Sequence, residues 1–272
     1  MDAKNNPLNL YYNYIDFDLP IPYQLKDKNI LLIYPIELKD SYTFLASVNI
    51  LNIDKNSMPS VEIIQMSYLK FVYFELLKQQ INIVKLGNIL QLCLKFKKPR
   101  IFLDQTSKKV FLKDDESDII ISEKDFEEIR RIILYQNILN FDDSYINPDL
   151  KLAMEEMDKL KNKSFELPTL ERKFAIITAH AGIAKEEQKK MTLRAHSLLF
   201  EEVCGEVEFL TTRAICMHAG EKVDHWIFKQ KKNKFDKYIT SVEDYNKSMG
   251  GNGYVKNVTG SLTDTMINNI NE

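Results

Sequence analysis

Four histidines and three cysteines are the residues here with the widest chemical reach. His180, His196, His218 and His225 with Cys93, Cys204 and Cys216 match in type the nitrogen and thiolate ligands of a zinc site, which needs four in recognisable spacing. The spacing is absent. There is no H-E-x-x-H helix and no C-x-x-C pair, and Cys216-x-His218 is the only tight pair, two ligands at most. His196 shares a predicted helix face with Leu199, Phe200 and Val203, where a histidine is structural. A catalytic thiolate needs an accessible, electropositive pocket, whereas all three cysteines have apolar neighbours and are expected in the core. The acidic run "DDESD" (114–118) has no second carboxylate cluster to share acid–base work and is expected to be a solvated turn. "GGNG" (250–253) lacks the Lys-Ser/Thr of a phosphate loop. The expectation is a chain with no catalytic residues, metal or cofactor.

Binding is the alternative to catalysis, and composition narrows the partner. The net charge of −2 gives no global field toward nucleic acid or anionic lipid. A helix–Gly–helix segment (170–204) imitates a helix-turn-helix, but its second helix offers only Arg194 as a base reader and its linker is long. Lys229, Lys231, Lys232, Lys234 and Lys237 are expected to form a solvated tail, so nucleic acid is not the expected partner. No stretch approaches the ~18 to 20 apolar residues of a membrane span. "MDAKNNPLNL" lacks the basic and apolar regions of a signal peptide, and three unpaired cysteines fit a reducing compartment, so a cytosolic protein is expected. Arg130, Arg131 and Trp226 remain as candidate partner contacts, being types favoured at interfaces. The two arginines are otherwise an exposed helix face, and Trp226 otherwise closes a core.

The elements that would position these residues follow from periodicity. "KNILLIYPIELKD" (28–40) predicts a strand closed by Pro35, and 40–53 a helix with apolar positions 44, 45, 48 and 51. Residues 55–80 pass from a loop at Pro59 into one apolar helix lined by Met66, Leu69, Tyr73 and Leu76/Leu77. The run 83–96 continues as helix, with a short buried strand as the alternative. Residues 100–122 predict a β-hairpin around "DQTSKK" and a third strand at "DIII". Ser122 with Asp125 is close to a capping box, opening a helix that buries Phe126, Ile129 and Ile133 and pairs Glu127 with Arg131. Asn147-Pro148 opens a helix to 162 with Leu150, Ala153, Met157 and Leu160 on one side. Two helices are predicted at 169–180, ended by Gly182, and 192–204, capped by Thr192. A further helix runs through "EFLTTRAICM" to Gly220. The fold class is α+β, mainly helical. An α+β N-terminal domain with a short β-hairpin (1–162) is followed by a helical C-terminal module (163–235) and a flexible tail (236–272).

The order of these segments carries a resemblance. "LLIYPIELKDSYTFLASVNILNIDKNSMPSVEIIQMSYLKF", "SEKDFEEIRRIILYQNI", "INPDLKLAMEE" and "LERKFAIITAHAGIAKEEQKKMT", with a late "HW", together resemble tail-module proteins of contractile-tailed bacteriophages of Gram-positive hosts. The likeness spans about residues 28 to 228 and points to chaperone-like tail and baseplate assembly factors. "TAHAGIAKEEQKKMT" is similar to the helix, glycine and Met-Thr helix start of small phage tail assembly chaperones, with Ala181 where that motif has Thr. The resemblance implies a non-enzymatic protein of the host cytoplasm that binds a phage tail, tape-measure or baseplate-hub protein. It implies no active-site residues. The alternatives are a structural baseplate or hub subunit kept in the virion and, further off, a DNA-binding regulator.

Overall fold

The computed structural model describes residues 10–55, 58, 60–117, 119–141, 147–161, 168–219 and 227 of the protein. Over these residues the chain is α+β and mainly helical, with two small antiparallel sheets. Trp226, His225 and residues 236–272 lie outside the described residues.

Helix α1 (Tyr12–Asp16) leads into the hairpin β1 (Ile21–Gln24) and β2 (Ile30–Ile33), paired antiparallel with Ile21 opposite Ile33. β2 is the strand expected before Pro35. Its partner was not foreseen, because Pro22 interrupts a four-residue run and masks its strand character. Ile21, Leu31 and Ile33 point into the core. Helix α2 (Ser41–Ser47) and a 3-10 turn (Val48–Leu51) then bury Phe44, Val48 and Leu51, while Leu45 faces out.

The single helix expected over 55–80 is broken. Helix α3 (Val61–Gln65) stops at Met66, whose ψ of 154° is extended, and α4 (Tyr68–Phe74) restarts behind Ser67. The Ser67 hydroxyl accepts the Lys70 N–H, so a capping serine inside the apolar run divides it. A 3-10 turn (Leu76–Lys78) precedes α5 (Gln80–Leu94), which ends at Lys95 in the left-handed region. The 83–96 run is therefore helix as far as Leu94, burying Leu86, Ile89, Leu90 and Cys93.

The second sheet is as expected: β3 (Pro99–Asp104), β4 (Lys109–Asp114) and β5 (Ile120–Ile121) in the order β3-β4-β5. Val110, Leu112 and Ile121 face the core, and Phe102, Phe111 and Ile120 the other side. Helix α6 (Glu123–Asn137) starts with the full Ser122–Asp125 capping box and buries Phe126, Ile129, Ile132 and Ile133. It packs against α4, β2 and β4. At its far end Asn137 accepts the Ile36 N–H at 2.7 Å and donates to the Ile133 carbonyl, holding the chain that leaves β2.

On helix α7 (Pro148–Lys161) the expected apolar side is only partly covered where described: Leu150 and Ala153 are exposed and Met157 is half-buried. Helix α8 (Leu170–Ala181) is capped by Thr169 and closed by Gly182 at φ 70°, a left-handed position suited to glycine. A short α9 (Lys185–Gln188) precedes α10 (Leu193–Ala219). Two helices were expected where α10 is one. Gly205 costs an exposed helix about 1 kcal/mol relative to Ala, which strong formers on both sides outweigh.

The chain divides into a unit of residues 1–148 with 166–222 and another of 149–165 with 223–272. The boundary expected at 163 lies within the 149–165 segment of the second unit. Segment 166–222 joins the N-terminal part because the α9–α10 junction docks on the exit of β2. Leu38 donates to the Met191 carbonyl at 2.9 Å and Leu193 to the Ile36 carbonyl at 2.8 Å. Thr192 caps α10 through the Ala195 N–H and donates to Asp18 at 2.7 Å.

Candidate functional site

The doubled arginine sits on α6 but not on an exposed face. The Arg130 side chain is 14% exposed. One Nη donates to the Leu51 carbonyl at 2.8 Å and the other to Glu127 at 2.6 Å, and the guanidinium lies 4.2 Å from the Tyr68 ring centroid. Tyr68 is itself pinned, donating to the Ile50 carbonyl and accepting the Ile53 N–H. Burial foremost pushes its hydroxyl up to about 12, so it stays protonated. Arg131 is half-buried and pairs with Glu128 at 3.6 Å. The expected i, i+4 pair of Glu127 with Arg131 is replaced by two i, i+3 pairs, because Tyr68 and Leu51 draw Arg130 inward. Arg130 thus ties α4, α6 and the 48–53 segment together.

Beside this knot a cleft of about 700 Å³ is lined by Glu62, Met66, Ser67, Lys70, Glu123 and Glu127, among others. Its central carboxylate is already committed. Glu123 accepts the Val110 N–H at 2.9 Å and the Ser67 hydroxyl at 2.7 Å, with the Lys70 ammonium at 3.6 Å. Burial works to raise its pKa, but these donors and the Lys70 charge outweigh it and hold the carboxyl below the ordinary range. Such a residue staples β4, α4 and α6 and remains ionised, the opposite of a general acid at neutral pH.

The histidines and cysteines are scattered. His196 is 1% exposed, with Nε2 3.3 Å from the Gln188 Oε1 and its ring edge-on to Phe174. Gln188 in turn donates to Thr178 and to the Phe174 and Ile183 carbonyls, so the pair fastens α8, α9 and α10. Burial, then Lys173, lowers the His196 pKa. His180 and His218 are exposed. Cys93 is buried as expected, whereas Cys204 is exposed and Cys216 half-exposed, correcting the core placement of those two. Among the described residues no three His, Cys, Asp or Glu are grouped to hold a metal ion, and no helix is long and apolar enough to cross a membrane.

Two further expectations are refined. Asp114 of the acidic run is buried, accepting the Lys97 and Lys98 N–H groups, and Glu116 pairs with both lysine ammoniums. That turn is a clamp on the start of β3. Arg194, the only base-reading candidate, donates to the Tyr135 carbonyl at 3.0 Å and is half-buried.

What the described surface does offer is apolar. α10 packs on α8 and α6, and Val203 and Phe209 are its last buried side chains. Beyond them Leu210 is 54% and Met217 68% exposed, and with Val207 and Ala214 they follow helical i, i+3, i+7, i+10 spacing, one stripe along the helix. Ile215 is also exposed. A second apolar patch lies on the outer face of β3-β4-β5, where Phe102 and Phe111 stack at 5.8 Å beside Ile120 over a groove of about 420 Å³. Neither was among the expected contacts. The α10 spacing was present in the sequence, where "EFLTTRAICM" reads as a helix without a marked face.

No family model matches the chain, and comparison with curated proteins and with solved structures found no match.

Proposed function

We propose that the protein is a non-enzymatic, chaperone-like assembly factor for a contractile phage tail. It binds a tail, tape-measure or baseplate-hub protein in the host cytoplasm and covers apolar surface on it until assembly. The observation that carries this reading is the exposed stripe Val207–Leu210–Ala214–Met217 on the distal half of α10, joined to the segment-order resemblance. A bare apolar helix face is what helix-in-groove recognition uses. The magnitude favours release. Burying what remains exposed of Val207, Leu210 and Met217 yields roughly 2 to 5 kcal/mol before any ordering cost, an increment suited to reversible capture and short of a permanent joint. The committed states of Glu123, His196 and Arg130 support a binding role over a catalytic one.

The test is genetic and structural. Deleting the gene should leave heads normal and tails absent or aberrant, with the protein missing from purified particles. Normal tails in the deletion strain would end this reading. Finding the protein stoichiometrically in virions would replace it with a retained baseplate or hub subunit.

A further inference from the structure

We propose that β3 is a self-association edge, pairing antiparallel with β3 of a second copy to make a six-stranded sheet.

β3 is an edge strand in the order β3-β4-β5, and among the described residues nothing pairs with its second edge. The Asp115 N–H donates to the Lys98 carbonyl, and this bond sets the phase of the ladder. In that register Arg100, Phe102 and Asp104 are hydrogen-bonded to β4, so the backbone groups of Ile101 and Leu103 point to the open edge. Pro99, which has no N–H, stands only at the start of the strand. Such an edge is a template for another strand.

The sequence of β3 says which strand fits. Arg100-Ile101-Phe102-Leu103-Asp104 is self-complementary when reversed about Phe102. With the dyad at Phe102, Arg100 of one copy lies opposite Asp104 of the other, and Ile101 opposite Leu103. Two such pairs supply four backbone hydrogen bonds from groups that are otherwise open. Phe102 then meets its own copy at a non-hydrogen-bonded position, where side chains approach most closely. Because Phe102 already stacks on Phe111 and is 38% exposed, the two copies would form one row of four rings on the outer face. Both charges have local partners: Arg100 touches Asp115 at 3.4 Å, and Asp104 accepts from Thr106 and Ser107. Arg100 is largely exposed and the Asp104 carboxylate retains free lone pairs, so each can serve a second partner. A one-residue shift would set Arg100 against Leu103 and lose both ion pairs.

The experiment uses the full chain carrying Cys204→Ser and Cys216→Ser, with buried Cys93 left in place. An interface this small predicts dissociation in roughly the 1 to 100 µM range by sedimentation velocity. Phe102→Cys in this background should form a disulfide dimer on mild oxidation. Arg100→Cys alone should not, since its copy would sit four residues away. Arg100→Asp, which sets like charges opposite one another, should weaken association at least about tenfold with an unchanged melting temperature. Monomer throughout that concentration range would overturn the proposal. So would Arg100→Cys cross-linking as well as Phe102→Cys, or association indifferent to Arg100→Asp.

Discussion

Helix α6 and the distal half of α10 invert the usual assignment of side chains to inside and outside. On α6 the charged groups are drawn in: Arg130 lies over Tyr68 and bonds the Leu51 carbonyl, and Glu123 takes hydrogen bonds from two other elements. On distal α10 the apolar groups are left out, with Leu210, Ile215 and Met217 facing solvent. Both helices are amphipathic by their sequence pattern. What separates them is whether a neighbour exists to cover the face. Helix α6 is enclosed by α4, β2 and β4, whereas no described side chain of α10 after Phe209 is buried. A buried charge with partners specifies a fold, and a bare apolar face requires an explanation beyond it.

The largest effect expected from this contrast is at Arg130. Arg130→Ala strips the Leu51 carbonyl and Glu127 of their donor and removes the contact with Tyr68, and should cost about 2 to 4 kcal/mol in denaturant unfolding. Arg131→Ala should cost less than about 1 kcal/mol. Equal costs at the two positions would mean that α6 presents both arginines alike, and the contrast with α10 would lose its first half.

A middle-sized effect follows from His196. Its folded pKa lies below the ordinary 6.5 because of burial and Lys173, so the unfolded chain binds the extra proton first as pH falls. The stability it confers is complete above the ordinary value and is lost as pH falls through the folded one. The unfolding midpoint should therefore decline between pH 7.5 and about 5, the ordinary histidine range, and His196→Asn should flatten that decline. An unaltered slope in His196→Asn would assign the dependence to other groups.

The smallest effect concerns thiols along the same helix. Cys204 and Cys216 should react with a thiol reagent in the native protein with little change in stability, while Cys93 should wait for unfolding. Slow reaction at Cys216 would mean that distal α10 is covered after all.

Local features were legible in the sequence. The β-hairpin with its third strand, the Ser122–Asp125 capping box and the Gly182 stop depend on residues a few positions apart, and each stands as read. Features set by distant neighbours were not. Arg130 is buried by a carbonyl 79 residues away, and periodicity carries no record of that separation. Ser67 divides one apolar run through a single hydrogen bond, Pro22 conceals a strand, and two expected helices are one continuous helix across Gly205. Of the candidate contacts, Arg130 is engaged internally, Arg131 is half-buried, and Trp226 lies outside the described residues. The stripe on α10 was visible as a pattern, but its exposure depends on which neighbours the fold brings to that helix.

The most direct test of the central claim pairs one variant with two readouts. Leu210→Glu combined with Met217→Glu places charge on the α10 stripe, and the variant is assayed for unfolding free energy and for tail formation when it complements the deletion. The account predicts stability within about 0.5 kcal/mol of the parent chain, as for exposed positions, and a failure to restore tails. A loss of several kcal/mol would make the stripe part of the core. Full restoration of tails by a stable variant would contradict its role in docking.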